Sequence, residues 1–128
     1  MKPEHPGRPR LSVMEVGSLW LPVIVWAAFI FYFSSLPYLR FVQPWWDYPL
    51  RKAGHMMIFG ILARLIARAL TGSTFWPWKK IFAWSLLLAL LYAATDEYHQ
   101  SFTPGRGATV QDVVIDGTGA WIALGMIP

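Results

Sequence analysis

The chain has 128 residues, 55% of them hydrophobic and 14% charged, with a formal net charge of +4. A soluble domain carries about 25% charged residues, and a chain this short has too much surface for its volume to hide so much apolar area, so an ordinary water-facing globule is excluded and lipid is the expected solvent. The absence of cysteine excludes disulfides, and the positive charge reads as basic residues flanking membrane helices rather than as a nucleic-acid surface, so no nucleic-acid partner is expected.

Residues 1–18 read as a basic cytoplasmic tail, and residues 19–128 as one domain of four transmembrane helices. A cleavable signal peptide is not expected. The first apolar run is too long for a signal's hydrophobic core, and no small-residue cleavage site follows it. A membrane span needs roughly 20 mostly apolar residues. The first candidate, Leu19–Leu36, contains no charge, with Pro22 in its first turn and Pro37 closing it. The second runs from about Lys52 to Leu70, with His55 near its start and Arg64 and Arg68 near its end. Those two arginines are four residues apart and can snorkel to the membrane edge. The third, about Lys80–Gln100, is apolar through Ala94 and then turns polar as Asp96-Glu97-Tyr98-His99-Gln100. The fourth, about Val110–Ile127, is short, glycine-rich, and carries Asp112 and Asp116 in its first two turns. The expected architecture is therefore all-α: an integral membrane four-helix bundle made of two helical hairpins.

Hairpin topology sorts the polar residues. The end of the first helix, the start of the second, the end of the third and the start of the fourth share one membrane face. That face receives Arg51, Lys52, His55, Asp96, Glu97, His99, Gln100, Arg106, Asp112 and Asp116. The basic residues set the orientation. Lys2, Arg8, Arg10, Arg64, Arg68, Lys79 and Lys80 fall on one side, and Arg40, Arg51, Lys52 and Arg106 on the other. Positive charge concentrates on the cytoplasmic side of membrane proteins, so both termini are expected there and the polar cluster outside. Trp45 and Trp46 near one interface, and Trp76 and Trp78 near the other, fit aromatic belts.

Within the cluster, each ionisable residue poses its own electrostatic problem. Glu97 lies about 24 Å along its helix from Ile81, near the edge of the hydrocarbon. Two carboxylates at a helix C-terminus oppose the macrodipole and call for compensation by cations, hydrogen bonds or protonation. Pro104-Gly105 marks a tight turn with Arg106 at its tip, either facing headgroups or forming a fork for phosphate or carboxylate. Thr109-Val110-Gln111-Asp112 has the form of a capping box, which offers Asp112 a structural explanation. Asp116 lies about 9 Å deeper than Val110 by helical rise, where an unpartnered carboxylate costs at least ~2.5 kcal/mol. Asp112 and Asp116 are four apart on one face and repel if both are ionised. Gly119 continues that face and permits close approach of another helix.

Taken together, Phe33-Ser34-Ser35-x-Pro37, Arg51-Lys52-x-x-His55, Asp96-Glu97-x-His99-Gln100-x-Phe102-x-Pro104-x-Arg106 and Asp112-x-x-x-Asp116-x-x-Gly119 resemble the VanZ-like family of small membrane proteins. The likeness runs from Trp20 onward. One departure is Phe59, where many members carry a tyrosine one turn after the motif histidine. The resemblance implies a role at the cell envelope, through a member linked to resistance to the glycopeptide teicoplanin. It supplies no established reaction.

Three functions compete. The first is binding or modulation of an anionic membrane lipid or lipid-linked wall precursor at the extracytoplasmic face by Arg51, Lys52, His55, Glu97, His99, Gln100, Arg106, Asp112 and Asp116. The second is a membrane-embedded hydrolase or transferase on a lipid-linked substrate, with His55, Glu97, His99, Asp112 and Asp116 offering the residue types needed for acid–base work or a metal site. No HExxH, P-loop or nucleophile elbow supports it. The third is proton-coupled transport through the acidic residues. The residues name no catalytic set, metal, cofactor or oligomeric state.

Overall fold

A computed structural model describes residues 11–34, 44–102 and 110–127, with side chains from Lys52 onward in the second segment. Arg106 and Thr109 lie outside the described residues, as does the side chain of Arg51. Within the described residues all regular structure is helical: α1 (Val13–Ser34), α2 (Pro44–Ser73), α3 (Trp78–Gln100) and α4 (Val110–Gly125).

α1 starts earlier than the charge-free run suggests. Ser12 Oγ accepts a hydrogen bond from the Glu15 amide at 3.1 Å, and the Glu15 carboxylate accepts one from the Ser12 amide at 3.1 Å. This reciprocal box satisfies two of the amides a helix start leaves orphaned. Pro22 consequently falls in the third turn rather than the first, where it removes the N–H that would bond the Ser18 carbonyl. α2 opens at a proline, a residue whose fixed φ suits a helix start. It ends where Ser73 and Thr74 turn their hydroxyls back onto the carbonyls of Ala69 and Leu70, at 2.5 and 2.6 Å. Pro77 then caps α3 in an extended conformation.

The helices alternate in direction. Leu19 packs beside Gly72 while Trp26 donates its indole N–H to the Ile58 carbonyl at 3.0 Å, so α1 and α2 run antiparallel. The Tyr92 hydroxyl donates to the Ala27 carbonyl and His99 stacks on Phe31, so α1 and α3 run parallel. α4 packs most extensively on α2. Gly119 makes this possible: a Cβ there would sit 2.6 Å from the Met56 Cα and 2.7 Å from its carbonyl carbon. On the opposite helix, a Cβ at Gly60 would stand 3.2 Å from the Gly119 carbonyl oxygen. Small residues at the crossing bring the two backbones together.

The core centres on α2, with Phe59, Leu62, Ala63, Ile66 and Ala67 packed against Ala89 and Ala93 of α3 and Ala120 and Leu124 of α4. α1 lies outside it. Only 6% of its apolar window is buried, against 44% for that of α2. Leu21, Ile24, Val25, Phe29 and Phe31 all face outward. Among the described residues, two helical segments, Val13–Phe33 and Lys52–Ser73, are long and apolar enough to cross a membrane. α3 carries Lys79 and Lys80 at one end and Asp96 and Glu97 at the other. α4 has 16 residues, about 24 Å at the usual rise. At the end of the bundle away from the acidic residues, the exposed Arg64 and Arg68 border a groove of about 570 Å³ with Trp78 and Ile127, which suits long side chains laid along apolar surface.

Candidate functional site

Helix direction gathers the charged residues. α2 and α4 run parallel, so Lys52 and His55, three apart on one, face Asp112 and Asp116, four apart on the other. The contacts form two rungs. Lys52 Nζ meets Asp112 Oδ1 directly. One turn deeper, His55 Nδ1 lies 3.3 Å from Asp116 Oδ1. Each aspartate thus has its own basic partner, Lys52 for Asp112 and His55 for Asp116. The Lys52 and Asp112 side chains are 24% and 10% exposed, and those of His55 and Asp116 are 25% and 1%. Each rung runs from a wetter cation to a more deeply buried carboxylate.

α3 closes the third side. Its buried line of Ser85, Ala89 and Ala93 lets it approach closely, and the same face then presents Asp96, Glu97 and Gln100. Glu97 is 5% exposed. One ligand atom from each of His55, Glu97 and Asp116 lies within 4.8 Å of the others. Gln100 Nε2 donates to Asp96 Oδ2 at 3.5 Å, a long bond that holds the Asp96 side chain along its own helix. His99 points elsewhere: its ring stacks on Phe31 at 4.1 Å between centroids, with planes 19° apart. Aromatic rings underlie the cluster, with His55 stacked near-parallel with Phe59 at 6.4 Å and Phe59 tilted against Tyr92 at 6.2 Å. The Phe59 position is 1% exposed and apolar, so the floor beneath His55 offers it no hydroxyl.

Of the residues expected to form the site, the structure brings together Lys52, His55, Glu97, Asp112 and Asp116. Gln100 joins the same buried face through Asp96, and His99 packs against α1. Arg106 and the Arg51 side chain fall outside the described residues. Asp112 was open to a capping explanation. Its carboxylate engages Lys52, and the proposed cap, Thr109, is outside the described residues. Tyr92 was missed by sequence reasoning. Its hydroxyl ties α3 to α1 directly beneath the cluster. The signal was a single tyrosine inside an otherwise apolar run, and a buried hydroxyl needs a partner.

In chemical terms the arrangement offers a histidine and two carboxylates converging from three helices, with an amine one turn above. It can hold a proton or a cation, and its Lys52 amine can meet an anionic ligand.

A protein-family model described as VanZ/LLP1 matches residues 19–128. No curated protein and no solved structure matches the chain.

Proposed function

Because the chain belongs to the VanZ/LLP1 family, we propose that it is a multi-pass membrane protein of the cell envelope. Its four helices form a bundle across the bilayer, with both termini cytoplasmic. Its charged cluster binds or modulates an anionic lipid-linked ligand or wall precursor at the extracytoplasmic face. That role connects it to glycopeptide susceptibility, teicoplanin in particular. Two helices of spanning length and an outward-facing apolar surface on α1 support the membrane setting. An intramembrane ionisable residue is by default a mark of function, because it is costly to keep there.

The observation that carries the reading is the double rung between α2 and α4. Carboxylates that are nearly inaccessible hold Lys52 and His55 in place while a quarter of each cationic side chain stays accessible. Such cations are fixed in position yet free to contact a headgroup. With Arg51 and Arg106 nearby in sequence logic, the face suits phosphate or carboxylate.

The test is binding of a polyprenyl phosphate, against the matching uncharged prenol, to the full chain in detergent micelles by native mass spectrometry. The phosphate should bind in preference, and Lys52→Ala should remove the preference. Equal binding of phosphate and prenol would overturn the reading.

A second reading is favoured by the histidine–carboxylate pair at 3.3 Å beside Glu97. That geometry can pass a proton to or from a lipid-linked substrate, as a hydrolase or transferase requires. Release of phosphate or of a transferred headgroup from such a lipid would favour it over binding alone.

A further inference from the structure

His55, Glu97 and Asp116 come from three different helices, and nothing in the binding reading requires all three to meet. The rung logic explains His55 with Asp116. It leaves Glu97 aimed into the same space.

The geometry points to a divalent transition-metal site, held by His55 Nδ1 and by one carboxylate oxygen each from Glu97 and Asp116.

Three observations carry it. First, the donor atoms all lie within 4.8 Å of one another. Ligands at 2.0–2.2 Å from a zinc ion are separated by at most about 4.4 Å, so small side-chain rotations bring the trio onto one ion. Second, His55 Nδ1 and Asp116 Oδ1 are 3.3 Å apart, yet neither Asp116 oxygen accepts an aligned hydrogen bond among the described residues, although the carboxylate is 1% exposed. Two tetrahedral ligands of one ion stand about 3.4 Å apart at ordinary zinc distances. The spacing of the pair therefore also suits two ligands of one ion. Third, the charges match. A neutral imidazole with two ionised carboxylates carries −2, which a divalent cation neutralises, and a neutral site is cheaper in hydrocarbon than a charged one.

The donor set narrows the metal. Imidazole suits zinc, copper, iron and nickel, whereas carboxylates alone suit magnesium, calcium and manganese. One nitrogen with two oxygens, and no thiolate anywhere in the chain, fits Zn2+ first and Mn2+ second. Three protein ligands leave a coordination position open, and Lys52 stands one turn above it. The inference goes beyond the headgroup reading and does not rest on it, because the ion can be titrated with no lipid ligand present.

The experiment titrates the metal-stripped, tag-free full chain in detergent with Co2+, read by visible absorption, and then adds Zn2+. One Co2+ per chain is expected, with the spectrum abolished by Zn2+. Glu97→Gln and Asp116→Asn should each weaken Co2+ by about 100-fold or more, beyond the 10–100-fold typical of outer-shell changes. In parallel, the wild-type chain carrying ring-labelled histidine is titrated with substoichiometric Mn2+. The signal of His55 should broaden before those of His5 and His99. That arm stands even if a variant fails to fold. No Co2+ spectrum from the wild-type chain, an unchanged affinity in both folded variants, or broadening of His5 or His99 first would each overturn the site. Loss of polyprenyl-phosphate preference with metal binding intact would sink the headgroup reading alone.

Discussion

At the scale of single residues, the two aspartates of α4 separate by what happens to the cation each one leaves behind. Asp116→Asn removes the counter-charge of His55 at a carboxylate that is 1% exposed. Breaking a buried pair by removing one partner costs about 3–5 kcal/mol. The quarter of His55 that remains accessible puts the expected loss near the lower end, ~3 kcal/mol. Asp112→Asn releases Lys52, whose long stem can carry its amine to water, and the expected loss is ~1 kcal/mol, within the range for an exposed pair. Thermal unfolding of both variants in detergent, beside an envelope or glycopeptide-susceptibility phenotype, checks the ranking. Asp116→Asn should also lose function. A fully stable and functional Asp116→Asn protein would remove Asp116 from the site.

At the scale of helices, the sequence made the four elements and their shared face legible, because charge-free runs and hairpin topology need no knowledge of packing. Boundaries were less legible. The start of α1 was hidden because span length counts hydrocarbon thickness, whereas a helix begins at its cap. Ser12-Val13-Met14-Glu15 carries that cap in the water-facing stretch. The pairing of Asp112 with Lys52 was not readable either. A local motif, the capping box, was the nearer explanation, whereas a contact across 60 residues of chain emerges only once the helices pack. Gly119 is the reverse case: its place on the acidic face already signalled a close helix crossing. Gly119→Ala should therefore destabilise by about 1–3 kcal/mol, the usual cost of overpacking, because the new methyl meets Met56 backbone that cannot rotate away. Gly17→Ala, in α1 with nothing within 4 Å of the added atom, should stabilise by about 0.5–1 kcal/mol. Melting temperatures of the two variants should move in opposite directions, and equal shifts would show that the α2–α4 crossing does not set stability.

For the whole molecule, the orientation proposal depends on a charge asymmetry that helix geometry alone does not fix. The alternation of α1 to α4 puts the Lys52–Asp112 and His55–Asp116 rungs at one end and Arg64, Arg68, Lys79 and Lys80 toward the other. Either end could face the cytoplasm as far as packing is concerned. Retention of basic residues on the cytoplasmic side breaks the tie: seven lysines and arginines assort with the termini and the α2–α3 turn, and four with the acidic end. The natural chain has no cysteine, so a single introduced thiol reports its own location without background. A cysteine at Gly107, in the segment joining α3 to α4, should react with a membrane-impermeant maleimide in intact cells. A cysteine at Ser73, where α2 ends, should react only after the membrane is opened. Reversed labelling would turn the proposed ligand face toward the cytoplasm and exclude an extracytoplasmic wall precursor, while the two rungs and their convergence with Glu97 would stand unchanged. Labelling of both positions from outside would remove α3 as a span, because an odd crossing between Ser73 and Gly107 is what separates them.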